Sequence, residues 1–243
     1  MNMKAENRTA NIKWQGLYGL GGYSAIMISV LLLGEIVVYA VLPRTSNAIE
    51  NFELFRNNWF AGLLTFDLLG IIAYLLFIPT ILAIYVTVRQ DSESIMAVAT
   101  VLFFIGISEF FATNTGLSML SLSGRYTAAT TETEKVALLA AGEAMLTIFN
   151  ENAFLLSYVL VSVAWVMISV VMLRSKKFGR INSIAGILAG LSGILAVFLE
   201  HLLQANAVFI AITFYFAAIV FLIVWIILTG QRLLQLRKNI TIQ

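Results

Sequence analysis

Apolar residues recur along this chain in runs of about twenty or more, separated by short polar segments, and these runs set its organisation. The first run, 16–42, follows a polar stretch carrying Lys4, Arg8 and Lys13 and is interrupted by Glu35. It is longer than a signal-peptide core and has no small-residue cleavage site, so it is expected to be retained as span 1. The second, 58–88, contains Asp67 and Pro79, and proline in its interior predicts a kink there. The third, 95–122, carries Glu109. The fourth, 153–173, and the sixth, 207–229, are uncharged, and the fifth, 181–203, has Glu200 and His201 near its end.

The one long connection joins spans 3 and 4. At its middle, Thr131-Glu132-Thr133-Glu134 has the spacing of a capping box and predicts a helix over 132–150. Glu143, Thr147, Asn150 and Glu151 fall on one face of that helix, and Leu139, Met145, Leu146 and Phe149 on others. An amphipathic helix of this kind is expected to lie at the interface or to dip between spans. The pattern predicts an all-α, polytopic membrane bundle: about six transmembrane helices plus one extracytoplasmic amphipathic helix. It forms a single membrane domain, 15–230, between cytoplasmic tails 1–14 and 231–243.

Composition agrees. Of 243 residues, 60% are hydrophobic and 12% charged, and the mean hydropathy is +0.92, far from the balance of a soluble domain. The net charge of +2 gives no reason to expect nucleic acid as a partner. Basic residues report orientation instead. With the N-terminus inside, the inner segments hold Lys4, Arg8, Lys13, Arg89, Arg174, Lys176, Lys177, Arg180, Arg232, Arg237 and Lys238. Only Arg44, Arg56, Arg125 and Lys135 remain outside. The positive-inside rule thus expects a cytoplasmic (inner) membrane protein with both termini cytoplasmic.

Four carboxylates at membrane depth are the chemically informative residues, because an ionised group there is expensive unless it is protonated, paired or wetted. In this topology Glu35 and Asp67 each lie roughly 10–14 Å from the outer surface at about 1.5 Å per residue. Glu200 and His201 fall near the outer end of span 5, and Glu109 mid-span or somewhat outward. Asn114, with Ser108, Thr113 and Gly116, extends the polar character of span 3, and Gln204 follows Glu200 by one turn. Gly186, Gly190 and Gly193 provide a small-residue face on span 5 for close helix contact. Glu35, Asp67, Glu109, Glu200, His201 and Asn114 are therefore candidate ligand-binding residues, with Glu143, Asn150 and Glu151 as secondary candidates. They define an expected outward-opening pocket walled by spans 1, 2, 3 and 5. The alternative is that each acid is satisfied locally and only sets helix register.

Several chemistries find no support. The chain has no cysteine, which removes disulfides, thiolate metal sites and iron–sulfur clusters. Its lysines, at 4, 13, 135, 176, 177 and 238, all lie outside the spans, which argues against a retinal Schiff base. A single histidine, His201, argues against bis-histidine haem and multi-histidine metal sites. A carboxylate-rich metal site is left open, but no residue set designates one, and no cofactor is identified. Phosphate-binding loops and nucleophile elbows are likewise missing.

The Gly16–Gly22 start of span 1 (Gly-Leu-Tyr-Gly-Leu-Gly-Gly) and Phe66-Asp67-Leu68-Leu69 early in span 2 resemble a bacterial family of small membrane proteins catalogued as domain of unknown function 4386. So do the long third connection with its amphipathic segment and the basic turn Arg174–Arg180 before the glycine-rich span 5. The resemblance covers most of the chain. It implies six helices in a bacterial membrane, and no activity.

Three function classes follow. The first is binding or transport of a small cationic or lipid-like molecule in a carboxylate-rich pocket. The second is an intramembrane enzyme using buried carboxylates for acid/base chemistry on a lipid or isoprenoid. The third is a sensory or assembly protein without a pocket. Membrane lipids are expected partners in all three, and oligomeric state is left open.

Overall fold

The structure, a computed structural model, describes residues 14–42, 45–202 and 208–241. Every element among them is helical. In chain order these are α1 (Gln15–Val41), α2 (Ala48–Asn57), α3 (Trp59–Thr65), α4 (Leu68–Val88), α5 (Glu93–Thr113), α6 (Gly116–Ala128), α7 (Glu132–Thr147), α8 (Phe154–Ser175), α9 (Arg180–Leu202) and α10 (Val208–Thr241). A π-helical turn, Ile148–Ala153, joins α7 to α8. Six helical stretches are long and apolar enough to cross a membrane. They are α1, α4, α5 continued by α6, α7 continued through the π turn by α8, α9, and most of α10. The chain is thus an all-α polytopic bundle.

The spans pack as a ring in chain order. α1 lies against α4 and α10, α10 against α9, α9 against α8, α8 against α5, and a lighter contact between α4 and α5 completes it. Short connections after α4, α8 and α9 keep those successive spans side by side. Its interior is apolar and aromatic: Ile28, Phe77, Ile81, Phe103, Trp165, Ile168, Met172 and Trp225 are buried together. Leu20, Val30, Leu33, Val101, Ile105 and Leu195 project outward, an arrangement suited to lipid.

Small residues and hydroxyls bring the helices together. A Cβ on Gly190 would sit 2.5 Å from the carbonyl oxygen of Ser162, so α9 meets α8 at backbone distance there. On α1, a Cβ at Gly21 would lie 2.8 Å from the carbonyl oxygen of Pro79. Thr80 Oγ1 donates to Gly21 O across the same contact (3.1 Å), and Ser157 Oγ on α8 donates to Gly106 O on α5 (2.7 Å). The glycines of span 5 therefore face α8, with Gly186 also beside Trp225 of α10.

The helix breaks depart from the sequence expectation, and the expected span 95–122 is divided between Thr113 and Gly116. The stretch 58–88 is interrupted at Phe66-Asp67, whereas Pro79 lies inside continuous α4. The helix expected over 132–150 starts with Thr131 Oγ1 accepting from Glu134 N (3.3 Å). It then runs into the fourth span through the π turn instead of ending separately.

Helices α2, α3, α6 and α7 gather at one end of the ring around their own apolar cluster: Ala48, Phe52, Phe55, Phe66, Met119, Leu146 and Phe149. We call this the cap. Ser123 Oγ donates to Phe52 O (2.8 Å), and Glu143 Oε1 accepts from Ala48 N (2.7 Å), tying α6 and α7 to α2. The opposite end is basic. There Lys177 pairs with Asp91 (2.8 Å) and donates to Thr87 O (2.7 Å), and Arg232 Nε donates to Lys177 O (2.7 Å).

Candidate functional site

Towards the cap end the ring leaves space between its helices. It encloses a cavity of about 740 Å³, within the range of small-molecule sites. The six spans and the π turn all contribute. α1 supplies Leu32, Glu35 and Tyr39, and α4 supplies Gly70, Ala73, Tyr74 and Phe77 beside Asp67. Phe110 comes from α5, Asn150 from the turn, and Leu155, Ser157, Tyr158 and Trp165 from α8. Glu200 ends the wall on α9, and Tyr215, Ile219 and Leu222 close it on α10.

Asp67 occupies this wall because of the break in span 2. Its backbone is left-handed (φ 62°, ψ 42°), a conformation that Asp and Asn tolerate better than other side chains with a Cβ. From there Oδ1 accepts from Gly70 N (3.2 Å), capping α4 inside the apolar slab. The residue is only 9% exposed. Capping leaves a carboxylate at the start of a half-helix, where amide dipoles favour negative charge.

Glu35 lines the same cavity from α1, with its Oε1 buried and without a hydrogen-bond partner among the described residues. Glu200 accepts a hydrogen bond from Tyr215 on the adjacent helix through Oε2 (2.6 Å). None of the three acids forms an ion pair with a described residue, since the ion pairs there are Lys135–Glu132 and Lys177–Asp91. Among the described residues, no lysine or arginine lines the cavity. Around the acids stand Tyr39, Tyr74, Tyr158, Tyr215, Phe77, Phe110 and Trp165, and Trp165 Nε1 is also buried without a partner. No group of three or more His, Asp or Glu side chains among the described residues is arranged to hold a metal ion.

Of the residues singled out from sequence, Glu35, Asp67, Glu200 and Asn150 line this cavity. Glu109 is half-buried on α5 and is not among the lining residues. Asn114 holds two chain breaks together: Nδ2 donates to Phe66 O (2.8 Å), and Oδ1 accepts from Gly116 N (3.1 Å). Glu143 caps α2. The side chains of Glu151 and His201 lie outside the described residues. The four tyrosines, Trp165 and the contributions of spans 4 and 6 did not emerge from the charge pattern. Tyrosine within an uncharged apolar run, as at Tyr158 and Tyr215, is the signal by which they could have been found.

Fold and composition define a multi-pass helical membrane protein. Residues 16–230 match the family model described as "Domain of unknown function (DUF4386)", and the chain belongs to that family. No curated protein and no solved structure matches it.

Proposed function

We propose that this protein binds a small organic cation with an apolar body in the cavity at the cap end, as a transporter or a receptor for it. The observation that carries this reading is the composition of one wall set: Glu35, Asp67 and Glu200, without a basic partner among the described residues, amid seven aromatic rings. An unneutralised carboxylate in an apolar surround recruits positive charge. Aromatic faces hold a dispersed cation by its attraction to the ring quadrupole. The spread of the acids over three helices suits a bulky cation better than a bare metal ion. The basic residues cluster at the opposite end of the bundle, and by the positive-inside rule the cavity faces away from the cytoplasm.

The test is thermal stabilisation of purified protein in detergent by tetraphenylphosphonium and by an alkyl-trimethylammonium of matched volume. A ligand that binds only the folded state raises the melting temperature in proportion to the logarithm of its concentration. Wild type should respond to both probes and not to a neutral isostere. Glu35→Gln with Asp67→Asn should abolish the response. An unchanged response in that double variant, or equal response to the neutral isostere, would rule the reading out.

A further inference from the structure

A second cavity of about 360 Å³ lies between the end of α1 and the cap. Two residues, Tyr39 and Asn150, line both this cavity and the larger one. A third connection runs through the backbone. Phe66 lines the outer cavity and its neighbour Asp67 the inner, because the left-handed turn sends consecutive side chains into different compartments.

The outer compartment differs in chemistry from the inner one. Among the described residues its polar lining is neutral, with Thr45, Asn51 and Thr65 and no acid. It is also stiff: Thr45 Oγ1 donates to Asn51 Oδ1 (2.8 Å), Asn51 Nδ2 donates to Asn47 O (2.9 Å), and Thr65 Oγ1 donates to Gly62 O (2.7 Å). Tyr39 and Asn150, by contrast, are exposed, and neither side chain hydrogen-bonds to another described residue. Val38 and Leu42, where α1 ends, place the compartment at the level at which the span meets the cap. A neutral polar chamber at that level accepts a cation without trapping it, whereas the acids beyond the partition hold it.

We propose that the outer cavity is the entry compartment of the protein, and that Tyr39 and Asn150 form the gate through which a cationic amphiphile passes to Glu35 and Asp67. The identity of the ligand rests on the preceding reading; the route does not. The chain has no cysteine, so an introduced one is the sole thiol. Ile219→Cys places it in the inner cavity on α10. The experiment measures the rate at which a small trimethylammonium thiosulfonate labels Ile219→Cys in the full-length protein in detergent.

Filling the outer chamber with Thr65→Trp should slow labelling by about tenfold, and opening the gate with Tyr39→Ala should speed it severalfold. Labelling rates unchanged in both variants overturn the route. If Thr65→Trp does not fold, an unchanged rate in Tyr39→Ala overturns it alone. Tetraphenylphosphonium binding separates the two claims. Gate-dependent labelling in a protein that never binds the probe keeps the route and removes the ligand class. Probe binding with labelling indifferent to Tyr39→Ala and Thr65→Trp does the reverse.

Discussion

Tyr215 on α10 donates a 2.6 Å hydrogen bond to Glu200 Oε2 on α9, so one of the cavity acids is held by the helix next to its own. The pair lies beside the Tyr158 ring, whose centroid is 5.7 Å from that of Tyr215. A hydrogen bond to a charged acceptor is worth more than a neutral one, and partial exposure of Glu200 reduces the gain. Tyr215→Phe should therefore lower stability by about 1 kcal/mol or less. Combined with Glu200→Gln it should add little more than either change alone. A double-mutant cycle from thermal melts in detergent checks this, and fully additive effects would show that the contact is not energetically coupled.

At Asp67, charge and backbone make separable contributions. Asn accepts the left-handed conformation and caps a helix as Asp does, so Asp67→Asn should leave the melting temperature within a degree or two while removing the charge. Asp67→Ala loses the cap and keeps a Cβ in the left-handed region, which together cost about 2 kcal/mol. Melting curves of the two variants side by side make the comparison.

Helix contact through glycine gives a positional contrast. Gly190→Ala drives a Cβ against the backbone of Ser162, and should destabilise by about 1–3 kcal/mol as overpacking does. Gly124 on α6 has no neighbour within 4 Å of such a Cβ. Gly124→Ala should therefore be neutral or stabilising by up to about 1 kcal/mol, since it improves helix propensity without a clash.

Asn114 bridges the interruption of the second span to that of the third. Asn114→Ala removes its bonds to Phe66 O and Gly116 N, at about 1 kcal/mol each. Its effect should concentrate in the cap. Hydrogen exchange should accelerate in α3 and α6 more than in α8 and α9, and a uniform increase would contradict the local role.

Acid should loosen the first turn of α2. Glu50 accepts from the backbone N–H of Ser46 (2.7 Å), which holds its carboxyl below the ordinary 4.5, and hydrogen bonds from the Ser46 and Asn47 side chains act the same way. A carboxyl depressed in the folded state stabilises at pH above its unfolded value, and that contribution disappears as pH falls through the lower folded value. Exchange of the amides at 48–51 should thus rise below about pH 4.5 in wild type and be already elevated and pH-independent in Glu50→Gln.

The sequence disclosed the membrane class and three of the acids that converge, because a carboxylate inside an apolar run stands out whatever its neighbours do. It did not show the interruption of span 2 at Phe66-Asp67. Proline is the more obvious breaker, but Pro79 lies within α4, whereas Asp67 supplies both the left-handed turn and the new helix cap. Glu109 shows a different limit. α5 is apolar almost all round, so its sequence defines no inward face, and depth alone did not tell lining from near-lining residues. Spans 4 and 6 were passed over because they carry no charge. Their tyrosines contribute rings and hydroxyls that a search for ionisable groups does not register.

The order of the ring has a consequence for biosynthesis. α1 is translated well before one of its two main neighbours, α10, and that contact includes Gly22 against Gly230 and Leu234. Until α10 arrives, the inner face of α1, Glu35 included, has no wall on that side. The site is therefore walled in only when α10 docks on α1.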